Sequence, residues 1–266
     1  MSTWRSWIAI GDSFTEGMSD EGPDGGYVGW ADRLAALLAA RDPGFRYANL
    51  AVRGKMLREI IDEQVPVAVA VKPDLVTLCA GGNDVIVPGS DIDAIAEEFE
   101  QAVIALRGAG CAVVVFAGPD PKAQPVVRRM RGKVAIYNGH VRAIADRHGA
   151  RLVDLWAMPV IVDPRAWSDD RLHFSTEGHQ RIALRTAEVL GLPVTEDWRN
   201  PWPPQPTPNW LRSRQADITW TRTHLLPWVR RQLRGESLGD GISAKRPELA
   251  PYSSTDYSST DHTAAV

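Results

Sequence analysis

Residues 4–15 read Trp-Arg-Ser-Trp-Ile-Ala-Ile-Gly-Asp-Ser-Phe-Thr. An apolar run stops abruptly at a glycine, and small polar residues follow at once. A strand over Trp4–Ile10 that breaks in this way and leads into a helix is the opening unit of a parallel α/β sheet. The chain repeats the unit downstream, with strand candidates at Phe45–Val52, Asp74–Ala80, Cys111–Gly118 and Arg151–Trp156. Val113-Val114-Val115 is apolar towards both faces, as a strand covered by helices on each side requires.

Helical periodicity fills the gaps. Trp30, Leu34, Leu37, Leu38 and Arg41 share one face, and Pro43-Gly44 ends that helix. Ile95, Phe99, Val103 and Leu106 repeat the spacing behind a cap at Asp91 or Asp93. Val134, Tyr137, Val141, Ile144 and His148 give another helix, and Thr176 to Leu190 a last one, closed by Gly191 and Pro193. Such alternation predicts an α/β fold, a five-stranded parallel sheet with helices on both faces.

The 266 residues are 44% hydrophobic and 24% charged, an ordinary globular balance. A net charge of -3 gives no electrostatic case for binding nucleic acid. Cys79 and Cys111 each sit in an apolar run and read as small core residues rather than as a disulfide or metal pair. Met1 to Ile10 does not fit a signal peptide, and no apolar run approaches the ~20 residues of a membrane span. A cytoplasmic, soluble protein is the expectation.

Composition shifts after residue 192. Half of the ten tryptophans fall in residues 198–228, and Pro201 to Pro208 carries five prolines. A helix is expected over Leu211 to Leu233, interrupted at Pro227. Residues 193–246 are therefore read as an extension packed on a 1–192 domain, with Trp198, Trp202 and Trp210 as an apolar belt across its outer helices. A membrane contact through Leu225, Leu226 and Trp228 is the less favoured reading, because Pro227 breaks the face it needs. Residues 247–266, containing Tyr-Ser-Ser-Thr-Asp twice, are polar enough to be expected disordered.

In an open parallel sheet, ligands bind beyond the carboxyl ends of the strands. Gly11-Asp12-Ser13 follows the first strand, Arg53-Gly54 the second and Gly81-Gly82-Asn83-Asp84 the third, while Asp170 and His173 follow the fifth. Each is ordinary turn chemistry alone; together they line one rim. A serine hydroxyl needs an adjacent base. Asp170 and His173, three apart in one turn, could orient that base and stabilise its charged form. The backbone N–H groups of Ser13 and Gly54 and the Asn83 amide could serve an oxyanion. The remaining histidines, at 140, 148, 179, 224 and 262, read as surface or helix-terminal residues.

These residues resemble the sequence blocks of the SGNH hydrolases, also called the GDSL esterase/lipase family. Gly11-Asp12-Ser13-Phe14-Thr15 resembles the nucleophile block, Asn49 to Gly54 the glycine block, Gly81-Gly82-Asn83-Asp84 the third, and Asp170-Arg171-Leu172-His173 the last. Phe14 stands where leucine is common and Phe174 where proline often follows the histidine. The resemblance implies a flavodoxin-like three-layer α/β/α sandwich, no metal and no organic cofactor. It implies hydrolysis of a small-molecule ester, with Ser13, His173 and Asp170 catalytic and Ser13, Gly54 and Asn83 forming the oxyanion hole. Acyl transfer or thioester cleavage by the same groups, and a binding module without catalysis, are the alternatives. The Ser13 block is not a Gly-x-Ser-x-Gly elbow, since position 15 is Thr, and no Walker A loop appears in a suitable place.

Overall fold

A computed structural model describes residues 4–23, 25–124, 127–204, 239 and 241–253. Strands β1 (Ser6–Gly11), β2 (Arg46–Asn49), β3 (Leu75–Cys79), β4 (Ala112–Ala117) and β5 (Arg151–Asp154) form a parallel array. The sheet order is β5-β4-β3-β1-β2-β6, so β1 lies inside the sheet between β3 and β2. Period-two alternation divides the core. Trp7 and Ala9 face one layer, which packs on helices α2 (Gly29–Ala39) and α8 (Thr176–Leu190). Ile8 and Ile10 face the other, with α3 (Leu57–Glu63), α4 (Val65–Val71), α6 (Ile92–Gly108) and α7 (Arg131–His148). Two short helices, α1 (Ser13–Glu16) and α5 (Gly82–Ile86), rise from the ends of β1 and β3.

The caps follow local chemistry. Asp91 accepts from the N–H groups of Asp93 and Ala94 and starts α6. Gly191 ends α8 in the left-handed conformation. Helix α4, Val-Pro-Val-Ala-Val-Ala-Val, is the least obvious element, because alternating β-branched residues suggest a strand. Pro66 in its first turn costs no helical hydrogen bond, and Val65 and Ala68 are buried against the core.

The sheet has six strands rather than five, and it is mixed. Strand β6 (Arg246–Pro251) pairs antiparallel with β2, so residues 247–251 are not the disordered segment expected from their composition. Cross-strand anchors explain this. The Arg46 guanidinium donates to the Leu249 carbonyl at 2.6 Å, and the Tyr252 N–H to the Phe45 carbonyl at 3.0 Å. The Tyr252 ring stands edge-on to Tyr47 at 5.3 Å. Lys245 donates to the Tyr27 and Val28 carbonyls and pairs with Asp32. Residues 254–266 lie outside the described residues.

Two tryptophans of the extension are described. Trp198 is buried and donates to Glu188 of α8 at 2.8 Å. Trp202 donates to the Val160 carbonyl at 2.7 Å, and the Arg181 guanidinium lies 4.3 Å from its ring centre. Trp210 and the helix expected over Leu211 to Leu233 fall outside the described residues. Ending the chain after Pro247 removes the Leu249 and Tyr252 contacts. Urea unfolding should report a loss of about 3 kcal/mol or more, the typical cost of deleting a buried aromatic; an unchanged midpoint would mean that β6 adds nothing to stability.

Candidate active site

Ser13 is the first residue of α1, directly beyond the end of β1. A Cβ at Gly11 would lie 2.4 Å from the Cys79 carbonyl oxygen and 2.7 Å from the Thr15 hydroxyl, so the turn leading to Ser13 closes over glycine alone. Asp12 caps α1 by accepting from the Phe14 N–H at 3.1 Å.

Asp170 and His173 arrive on a hairpin-like loop. Its base is closed by a bridge between Trp167 and Phe174, whose rings lie 4.3 Å apart, and by the Ser168 N–H donating to the His173 carbonyl. At its tip, Arg171 adopts a left-handed conformation with φ 56°. Asp170 Oδ1 accepts from the Leu172 and His173 N–H groups and the Ser168 hydroxyl. Its Oδ2 lies 2.6 Å from His173 Nδ1, and His173 Nε2 lies 3.0 Å from Ser13 Oγ. Burial raises the Asp170 carboxyl, but its bonds to His173, the imidazole charge and the loop donors outweigh burial and hold it well below the usual carboxylate range.

The second and third loops meet beside this chain of hydrogen bonds. Gly54, with φ 77°, is the third residue of a turn in which the Lys55 N–H reaches the Val52 carbonyl, a position that favours glycine. The Arg53 N–H donates to the buried Glu16 carboxylate at 2.7 Å, tying this turn to α1. Asn83 Nδ2 donates to the Lys55 carbonyl at 2.9 Å, and Asp84 accepts from the Leu57 N–H at 2.9 Å. A side-chain amide carries two N–H donors, so this bond leaves Asn83 a second one for a ligand. Asn49 is fully buried and joins the Thr15 carbonyl, the Tyr47 hydroxyl and the Ala51 N–H.

The structure thus joins Ser13, His173 and Asp170 in one hydrogen-bonded chain and ties the Gly54 turn to Asn83. The two positions that depart from the family pattern also meet. Phe14 and Phe174 pack edge-to-face at 5.7 Å, linking the serine helix to the histidine loop.

A sequence profile of the GDSL-like Lipase/Acylhydrolase family matches residues 9–181. The chain belongs to this family. Among solved structures, the hydrolase is similar to the acetylxylan esterase Axe2 of Geobacillus stearothermophilus, at 22% identity and a TM-score of 0.60 over 75% of this chain and 99% of that one. LAE5, an alpha/beta hydrolase from the metagenome of Lake Arreo, Spain, is 24% identical with a TM-score of 0.57, covering 71% and 97%. The psychrotrophic esterase EstA of Pseudoalteromonas sp. is 14% identical with a TM-score of 0.56, covering 70% and 97%. At these identities the likeness shows the shared fold. No curated protein sequence matches significantly.

Two histidine and carboxylate roles escaped sequence reasoning. His179 is buried, not a surface residue, because α8 turns it inward against α2. The Trp30 N–H donates to its Nδ1 at 3.1 Å, so its Nε2 carries the proton and faces the Met18 carbonyl at 3.3 Å. Burial lowers its pKa to about 4, which keeps this acceptor neutral. Asp20 accepts from the Gly29 N–H and holds Arg33 and Thr176, a cap on α2 that lies nine residues upstream. Neither role has a local sequence signature, since both partners come from other elements.

Burial also raises Asp12 to about 6, against the Phe14 N–H bond and the charge of His173, which lower it. A raised carboxyl favours folding in its protonated form, so that contribution is present below the unfolded value near 3.8 and lost as pH passes about 6. Asp12→Asn keeps an acceptor for Phe14 without the charge. Its melting temperature should match wild type near pH 4 and exceed it at pH 8; equal values at both pH would contradict a raised Asp12.

Proposed function

We propose that this hydrolase cleaves small carboxylic esters carrying acetyl or short acyl groups, through an acyl-enzyme on Ser13. The reading is carried by the continuous chain from Ser13 Oγ through His173 to Asp170, with contacts of 3.0 and 2.6 Å. His173 Nε2 takes the hydroxyl proton as Ser13 Oγ bonds to the ester carbonyl carbon. The imidazolium is stabilised by Asp170, whose carboxyl stays ionised across the working pH range. The carbonyl oxygen gains negative charge and is met by the N–H groups of Ser13 and Gly54 and the second N–H of Asn83. Collapse expels the alcohol, which leaves with the proton from His173. Water then attacks the acyl carbon, giving a proton to His173; the bond from Ser13 Oγ to the acyl carbon breaks, the acid leaves, and His173 returns the proton to Ser13 Oγ. Axe2 and EstA, esterases that share the fold, support an ester substrate.

Ser13→Ala should abolish ester hydrolysis and labelling by a fluorophosphonate probe while keeping the melting temperature, because Ser13 is a half-buried residue at the start of α1 and lies outside the apolar core. Probe labelling that persists in the alanine variant would move the nucleophile elsewhere. Asn83→Ala should lower kcat by ~10²–10³ with little change in KM, the signature of a contact that strengthens as the oxyanion forms. A change confined to KM would make Asn83 a substrate-binding residue instead.

A further inference from the structure

Gln64 joins α3 to α4 and is 4% exposed. Its Oε1 accepts from the Gly11 N–H at 2.8 Å, and its Nε2 donates to the Gly11 carbonyl at 2.9 Å. The reason for this pairing lies in the sheet. Along a strand, residues two apart turn their N–H and C=O towards the same neighbour. The Ala9 carbonyl accepts from the Leu50 N–H on the β2 side, so Gly11 turns both of its groups to that side too. There β2 has already ended at Asn49. The Gln64 amide occupies the place of the missing strand residue and satisfies two buried backbone groups at once.

The helix that supplies Gln64 begins at the other half of the site. Asn83 holds the Lys55 carbonyl, and Asp84 holds the Leu57 N–H in the first turn of α3. Seven residues of helix then lead to Gln64. One short rigid element therefore touches the Gly54 turn and the Asn83 loop at its start and the last residue of β1 at its end. Ser13 stands two residues beyond that clamp.

We infer that Gln64 is a positioning residue: acting through Gly11, it holds the Ser13 hydroxyl and N–H in register with the Gly54 and Asn83 donors. The inference rests on Ser13 being the nucleophile. It assigns Gln64 no contact with substrate, so its loss should reduce kcat rather than raise KM.

Gln64→Glu is a near-isosteric test. Ionised, its carboxylate still accepts from the Gly11 N–H but repels the Gly11 carbonyl; protonated, it restores both bonds. Gln64→Met keeps the volume and removes both at every pH. Each full-length variant is assayed on p-nitrophenyl acetate from pH 5.5 to 8, as a ratio to wild type so that pH effects common to both cancel, with melting temperatures alongside. At pH 8 both should show kcat roughly 10–100-fold below wild type at similar KM, the scale of a displaced reacting group. As pH falls, the glutamate ratio should climb towards one while the methionine ratio stays low. Wild-type kcat in the methionine variant, or a glutamate deficit that ignores pH, would overturn the positioning role. Activity surviving in Ser13→Ala would instead overturn the nucleophile on which it rests.

Discussion

The crowding around Gly11 is the constraint to which the rim of the candidate site is referenced. Strand β1 is interior to the sheet, its last residue pairs with Cys79 on one side, and the next turn must lift Ser13 clear of the strands. Backbone of β3 and the hydroxyl of Thr15 approach so closely that no side chain fits. The turn is consequently stiff, and the groups around it are built to its position. Glu16, one turn along α1, fixes Arg53 and so the Gly54 turn. Asn49 ties the end of β2 to Thr15. Phe14 reaches across to Phe174 on the histidine loop.

Two carboxyls flank Ser13, and their environments push them in opposite directions. Asp170 is met by the Ser168 hydroxyl, the Leu172 and His173 N–H groups and the imidazole, enough donors to keep it ionised although burial opposes this. Asp12 is more deeply buried and accepts from Phe14 N, and burial wins. Hydrogen-bond supply, rather than distance from the serine, separates the carboxyl that is held ionised from the one whose ionisation burial opposes.

Much of this was legible in the sequence because short-range signals carry it. The parallel strands announce themselves as apolar runs ending in glycine and acid or amide residues, and α2, α6, α7 and α8 by apolar spacing and caps. What escaped depends on partners distant in the chain. Gln64, His179 and Asp20 look like ordinary helix or loop residues, and only the folded neighbours reveal that they satisfy backbone groups of β1 and α2. The sixth strand was hidden by its surroundings: Arg-Pro-Glu-Leu-Ala-Pro at 246–251 carries two prolines and leads into the polar Tyr-Ser-Ser-Thr-Asp repeat, which suits an exposed antiparallel edge as readily as a tail. Helix α4 was hidden by its valines.

The most direct test of the account is a crystal structure of the hydrolase covalently phosphonylated by an ethyl phosphonate ester. The phosphorus should be bonded to Ser13 Oγ, with its non-bridging oxygen ~2.7–3.1 Å from the Ser13 and Gly54 nitrogens and Asn83 Nδ2. Asn83 should keep its bond to the Lys55 carbonyl through its other N–H. A phosphonyl oxygen turned to solvent, or an adduct on any other residue, would contradict the account.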